Sequence, residues 1–538
     1  MSAMRMNMPD VIVVGCGGGG AVVAKELAEA GLGVCVLEAG PWHDPQRDFT
    51  GLEWDMLNPI DAVFRWGPAD RSKPPWPRQR DGIPLLISTA GVGGNTLHFG
   101  ANCPRGYPGP MELDWPFGYG EMVPYYEKVE ATLPVVVPEI ASPKDALFMR
   151  GCEKLGIEHS PDPDVTRSAW RMQPNAILPV AEDADPLRYP TTDGCMQCGS
   201  CIVGCRLPDN APLERIAKRS TNVSYAPLAV RTGRCEIRTG CFASAVLTET
   251  RRDGTVMARG VRYRDIEGRV FEQDARVVVL AGGAIETPRL WLASELPDTG
   301  SVGRYLTTHW FEYMSAEFPH EVDMHLGQTS MVRAEFPGYG FVESQGLGPL
   351  SYAFVSFLGR TWANGDGAEG NGAWRTKGRL IGPALKRKMD AYRRTLMLVA
   401  ITDDEPEESN GVRLADGLAD ENNPAPHVTY HGTPSTIRRR EWLVDKAAEI
   451  LLAAGAIPET LHRADASPST IHMHGTMRMG VDPGYSVVDP ACEAHLVRRL
   501  FLADTSPFPN GIGGPNPTLT AQALATRTAG KIVERYFR

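Results

Sequence analysis

The chain has 538 residues, with 65 Asp and Glu against 55 Lys and Arg, giving a formal net charge of −10 and a pI near 5.7. That length exceeds one ordinary hydrophobic core and predicts two or more joined domains. The acidic balance excludes a phosphate-backbone partner such as nucleic acid. No apolar run approaches the ~20 residues of a membrane span. The opening "MSAMRMNMPD" has neither the apolar stretch nor the Arg pair of an export signal, which predicts a cytoplasmic protein with reduced thiols.

Taken in order, "DVIVVGCGGGGAVVAKELAEAGLGVCVLEAG" predicts a strand, a glycine turn, a helix and a second strand. Val11–Val14 is an unbroken apolar run of the kind buried in parallel sheets, and Val22, Val23, Leu27 and Ala30 form a helical stripe. Residues 41–120 are rich in Pro, Gly and Trp, which predicts long packed loops. A helix is expected around "EMVPYYEKVEATL", followed by the run Cys195, Cys198, Cys201 and Cys205. Three strands are expected over 235–250, 256–265 and 269–283, the last ending at glycines. Residues 310–430 show mixed periodicity, with a Gly-rich loop at "WANGDGAEGNGAW". "TIRRREWLVDKAAEILLAAGA" predicts an amphipathic helix, and the last 40 residues read as strand, loop and long helix.

Gly15-x-Gly17-x-x-Gly20 follows a strand and opens a helix, with Glu38 at the end of the next strand. This context predicts a dinucleotide site. Gly15 permits the turn, Gly17 lets backbone approach a pyrophosphate, and Gly20 lets helix and strand pack closely. Glu38 accepts from ribose hydroxyls, and the helix N-terminus faces the diphosphate. No second turn of this kind follows a strand, so one dinucleotide is expected.

Seven further segments, in order, resemble the glucose–methanol–choline (GMC) oxidoreductase family: "GVGGNTLHFGAN", "AGGAIETPRLWLAS", "SVGRYLTTH", "DDEPEESNGVRL", "HMHGTMRMG", "SVVDPACEAHLVRRLFLADTSPFP" and "NPTLTAQALATRTAGKI". One departure is Glu295, where the family usually has glycine. The resemblance implies an α/β protein with a Rossmann-like FAD-binding domain over 1–309, completed by 482–538 and carrying a Cys-rich insertion at about 190–220. A sheet-and-helix substrate domain is implied over 310–481. It implies FAD held by Gly15, Gly17, Gly20, Glu38, Gly94, Asn95, His98, Asp504, Pro517 and Thr518. The implied reaction oxidises an alcohol, such as a sugar or polyol, to a carbonyl, with hydride passing to flavin N5 and electrons to oxygen, a quinone or a redox protein. The family also contains hydrogen-peroxide-forming oxidases and hydroxynitrile lyases. Some relatives attach FAD covalently through a histidine at the place of His98, and others leave it free.

Hydride can leave an alcohol carbon only as the hydroxyl proton departs, and a neutral imidazole suits that task. The family pattern puts this base at His472, with His474 beside it in a packing role. A His-x-His zinc site lacks an identifiable third ligand. Asn516 matches the family's second active-site position, where an amide holds the substrate oxygen. Asn followed by Pro517 is also a good start for a helix. The run Asp403–Glu408 reads as solvated surface, with attraction of a cationic substrate as the other reading. For the four clustered cysteines three readings stand: an iron–sulfur cluster, as in some family dehydrogenases, structural zinc, or a plain thiol-lined loop.

Overall fold

The computed structural model describes residues 8–48, 79–81, 85–86, 88–139, 141–179, 194–202, 204–205, 213–357, 381–420 and 423–538. The Gly-rich "WANGDGAEGNGAW" loop lies outside them. A five-stranded parallel sheet forms the first layer, in the spatial order Leu500–Leu502, Val277–Leu280, Val11–Val14, Val34–Leu37, Cys235–Arg238. Its middle strands are short apolar runs, buried throughout except for the half-buried Val14 at the cavity end, as a sheet covered on both faces requires. From the central strand the chain turns first to Val34–Leu37 on one side and much later to Val277–Leu280 on the other. This reversal opens a crevice at the strands' carboxyl ends, the place where ligands settle in such sheets.

The second layer is a seven-stranded sheet in the order Leu85–Leu86, His462–Thr470, Trp310–Glu317, Thr395–Thr402, Gly340–Gln345, Val332–Phe336, Ala169–Met172, antiparallel except at its first pair. Alternation along these strands divides its residues. Met314, Ala316, Leu396, Leu398, Ala400 and Val342 pack beneath the helix Pro434–Ala454. Phe311, Phe341, Val399 and Ile401 cluster separately with Ile471, and Arg333 shares their face by strand alternation. Among the described residues no helix is long and apolar enough to cross a membrane.

The three expected strands are five. Gly240, at φ 66°, breaks the first into Cys235–Arg238, in the parallel sheet, and Phe242–Thr250, in a small antiparallel sheet with Val256–Arg264 and Val270–Asp274. The third divides between Val270–Asp274, which alternates exposed and half-buried residues, and the fully buried Val277–Leu280. One stretch of sequence thus feeds two sheets. The helix expected near 121–133 spans Tyr119–Thr132, and the last helix spans Thr518–Tyr536.

Glu295 follows the helix Gly283–Ala293 and its cap Ser294, and takes φ 52°, the left-handed conformation that a helix terminus reserves for glycine. Its side chain is exposed. Glu295→Gly should therefore stabilise the protein by about 1 kcal/mol. Thermal denaturation should give a higher midpoint for the variant, and a lower one would contradict the assignment of strain.

Candidate active site

The glycine turn is fixed by close packing. Gly15 has φ 97°, and a Cβ there would lie 2.5 Å from the Ala281 carbonyl oxygen. A Cβ on Gly20 would lie 2.0 Å from the Gly15 carbonyl oxygen, so the helix Gly20–Glu29 starts against the turn itself. Gly17 differs: an added Cβ would meet only Gly94 Cα, at 3.8 Å. Room is left above Gly17, within a cavity that runs from Glu38 and Cys241 past Gly94 and Asn95 to His472, Asn516, Pro517 and Thr518.

Glu38 is buried at one end of this cavity. Its carboxylate accepts the backbone N–H groups of Cys16 (2.7 Å), Gly40 (2.8 Å) and Gly91 (3.0 Å). Burial raises its pKa while these amides pull the other way. Asn95 accepts Thr89 N–H at 2.9 Å and donates to the Ile471 carbonyl at 3.4 Å, joining the 88–100 loop to the His472 segment. Asp504 lines the cavity, but its oxygens serve the protein. Oδ1 accepts from Ser506 N (2.7 Å) and Oγ (2.5 Å), and Oδ2 from Gly283 N (2.8 Å) and Thr287 Oγ1 (2.6 Å). The His98 side chain is buried outside the cavity wall, with Nδ1 2.8 Å from Thr89 Oγ1 and Nε2 without a partner among the described residues.

At the far end His472 and Asn516 come together, with Nε2 and Nδ2 3.5 Å apart. The Asn516 side chain caps no helix: Pro517 occupies the cap position, and Asn516 Oδ1 instead accepts from Arg333 Nη1 at 3.3 Å. Arg333 is wholly buried over the Phe341 ring, 3.4 Å from its centroid, and faces Glu335 at 3.2 Å. The other face of His472 meets His309, Nδ1 to Nδ1 at 3.0 Å, and its ring stands edge-on to Phe311. Burial first, then His309, His474 and Arg333, push the His472 pKa well below the ordinary histidine value. The imidazole is a neutral base at ordinary pH. His474 lies outside the cavity wall, with Nδ1 2.7 Å from Thr307 Oγ1 and its ring stacked on Phe508.

His309 and Arg333 carried no signal of their own in the sequence. His309 closes the "SVGRYLTTH" landmark, and Arg333 is the basic residue of a strand otherwise read only as mixed periodicity. The Asp403–Glu408 run departs from the solvated reading in its first two members. Asp403 and Asp404 are buried, and Asp404 accepts Thr308 N–H and the Tyr430 hydroxyl.

None of the four clustered cysteines lines the cavity. Among the described residues, which include all four, no group of three or more His, Cys, Asp or Glu is placed to hold a metal ion. Burial raises the pKa of Cys195 and Cys198, and that of Cys205 to about 11, so these are protonated thiols. As arranged, the run does not fit a cluster. It packs beside the cavity loop through Lys218, whose buried ammonium donates to the carbonyls of Cys201 (2.6 Å) and Leu97 (2.8 Å).

Two family models, both described as GMC oxidoreductase, match residues 187–311 and 406–525. The chain is 28% identical to 6'''-hydroxyparomomycin C oxidase of Streptomyces lividus, over 97% of this chain and 91% of that protein. It is 26% identical to 2-methyl-1,2-propanediol dehydrogenase of Mycolicibacterium austroafricanum, over 99% and 96% respectively. The solved structure of formate oxidase from Aspergillus oryzae shares its fold, with a TM-score of 0.69 at 13% identity and 99% of both chains covered.

The contrast between glycines gives a test. Among the described residues beyond its chain neighbours, Gly17→Ala meets no atom closer than 3.8 Å, so the variant should fold with the parent's secondary structure yet bind a dinucleotide at least about tenfold more weakly. Gly20→Val, forced against the Gly15 carbonyl, should fail to fold stably. Circular dichroism and bound-nucleotide absorbance check both, and full occupancy in Gly17→Ala would remove the pyrophosphate assignment.

Proposed function

The chain belongs to the GMC oxidoreductase family and is an oxidoreductase of CH–OH donors, and from that premise we propose that it binds FAD in the Glu38-to-His472 cavity. There it oxidises a small alcohol, carried on a sugar, polyol or similar molecule, to a carbonyl. The observation that carries this reading is the meeting of His472 Nε2 with Asn516 Nδ2 at the end of a cavity that begins at a dinucleotide turn. When bound, FAD supplies the two-electron acceptor for the hydride from the carbinol carbon.

The residues of the chain do the rest. Asn516 Nδ2 donates to the alcohol oxygen, with its amide held by Arg333 on the opposite side. His472 Nε2 takes the hydroxyl proton, so the O–H bond breaks as the C–H hydrogen departs with its electron pair and the C=O bond forms. The long helix Thr518–Tyr536 begins at the cavity wall and turns its N-terminal positive end toward the ring end of the site, favouring negative charge there. Gly17 and the helix Gly20–Glu29 receive the diphosphate, and Glu38 receives the ribose.

His472→Ala should retain flavin and slow its anaerobic reduction by alcohol ~10²–10⁴-fold. His474→Ala should leave the reduction rate within about threefold of the parent, because His474 stands outside the cavity. Stopped-flow absorbance decides between them, and the reverse pattern would exchange the two imidazoles. The pH profile adds a sign. Protonation disables the base, and the His472 pKa lies below the ordinary ~6.5. The acid limb of the reduction rate should therefore fall below pH ~6.5, and a midpoint at or above that value would contradict the assignment.

A further inference from the structure

His309 lies between the two-residue strand Thr307–Thr308 and the strand Trp310–Glu317, and its ring is wholly buried. Its Nε2 lies 2.8 Å from the Gly511 carbonyl oxygen and 3.8 Å from Asp403 Oδ1. A carbonyl only accepts hydrogen bonds, and among the described residues the Asp403 oxygen on that side has no hydrogen-bond donor of its own. Nε2 therefore carries the proton. A Cβ on residue 511 would lie 2.1 Å from Asp403 Oδ1 and 3.2 Å from His309 Nε2, so glycine there is what permits the approach. Burial holds the His309 pKa down at about 4, leaving a neutral ring with a single N–H. Its Nδ1 is then a lone pair, and the atom facing it at 3.0 Å, His472 Nδ1, has to donate. His472 Nε2 is left bare.

The opposite end gives the same direction. Arg333 has only donors, so the Asn516 oxygen faces Arg333 and the Asn516 N–H₂ faces His472 Nε2. An obligate acceptor at one end and an obligate donor at the other thus orient every group between them.

We propose that His309 is a positioning residue that sets the tautomer of His472, holding its proton on Nδ1 so that Nε2 is free to take the alcohol proton. This rests on the reading of His472 as the base. Without an acceptor at Nδ1, the His472 ring is free to carry its proton on Nε2, where it is no base for the alcohol. After the transfer, the His472 imidazolium still donates from Nδ1 to His309, which spreads the charge away from the cavity.

The test uses flavin-loaded full-length protein labelled with ¹⁵N-histidine, with His472 assigned by its loss in His472→Asn. Two-bond ¹H–¹⁵N correlation should show a protonated Nδ1 and a bare Nε2 for His472 in the parent. In His309→Phe that pattern should be lost, and anaerobic flavin reduction by a saturating alcohol should slow ~10–10²-fold with little change in alcohol affinity. His309→Gln, whose amide offers an oxygen toward His472 and an N–H₂ toward Gly511, should recover most of both. A parent His472 protonated on Nε2 would overturn the proposal, as would an unchanged tautomer and rate in a folded His309→Phe. Should the aromatic variant fail to fold, the parent spectrum alone decides. If no alcohol reduces the parent flavin while the tautomer is as stated, the alcohol-oxidation reading falls and the positioning role stands.

Discussion

One buried carboxylate holds the site together. Asp504 stands just beyond the strand Leu500–Leu502 and accepts four hydrogen bonds, two from the start of the helix Gly283–Ala293 and two from Ser506. Burial raises its pKa even so, which measures how much of its solvation those donors have to replace. The next residue, Thr505, donates to the Met473 carbonyl at 2.6 Å. The segment that carries His472 is thereby tied to the carboxyl end of the parallel sheet. Removing one donor from such a group costs more than the bond itself, because the charge is left buried and undersupplied.

From that anchor the two layers share one crevice. The parallel sheet supplies glycine turns whose backbone lines the cavity, and the antiparallel sheet supplies Arg333, which holds the Asn516 amide at the cavity's far end. Arg333 and Phe341 come from neighbouring strands of one sheet face, and Arg333 reaches Asn516 on the segment leading into the last helix. A guanidinium buried this deeply is tolerable because Glu335 stands beside it and an aromatic face covers it. The same cation helps keep His472 neutral.

What the sequence made legible was local. The Gly15–Gly20 turn and Glu38 were readable because the constraints on them act within one strand–turn–helix unit. The choice of His472 and Asn516 came from resemblance, and the structure brings them within 3.5 Å. The helix-cap reading of Asn516 failed because its partner, Arg333, is 183 residues away in the chain, and no local motif announces it. His309 was hidden for the same reason, lying 163 residues from His472. The break between Val270–Asp274 and Val277–Leu280 was visible in principle, since charged alternation gives way there to an unbroken Val run. The cysteine spacing left three readings open because spacing fixes neither the direction of the thiols nor their burial. Asp403 and Asp404 misled because acidic runs are ordinarily solvated, whereas here they pack beneath His309 and Thr308.

The central claim is that this cavity holds FAD and passes it hydride from an alcohol carbon. It is tested most directly by mixing flavin-loaded protein anaerobically with sugars, polyols and simple alcohols, and then with the reactive alcohol deuterated at the carbinol carbon, while following the visible flavin bands. The expected result is bleaching by at least one such alcohol, one carbonyl product per flavin, and slower bleaching with the deuterated compound. A flavin that remains oxidised with every CH–OH donor, or that bleaches without forming a carbonyl, would contradict it.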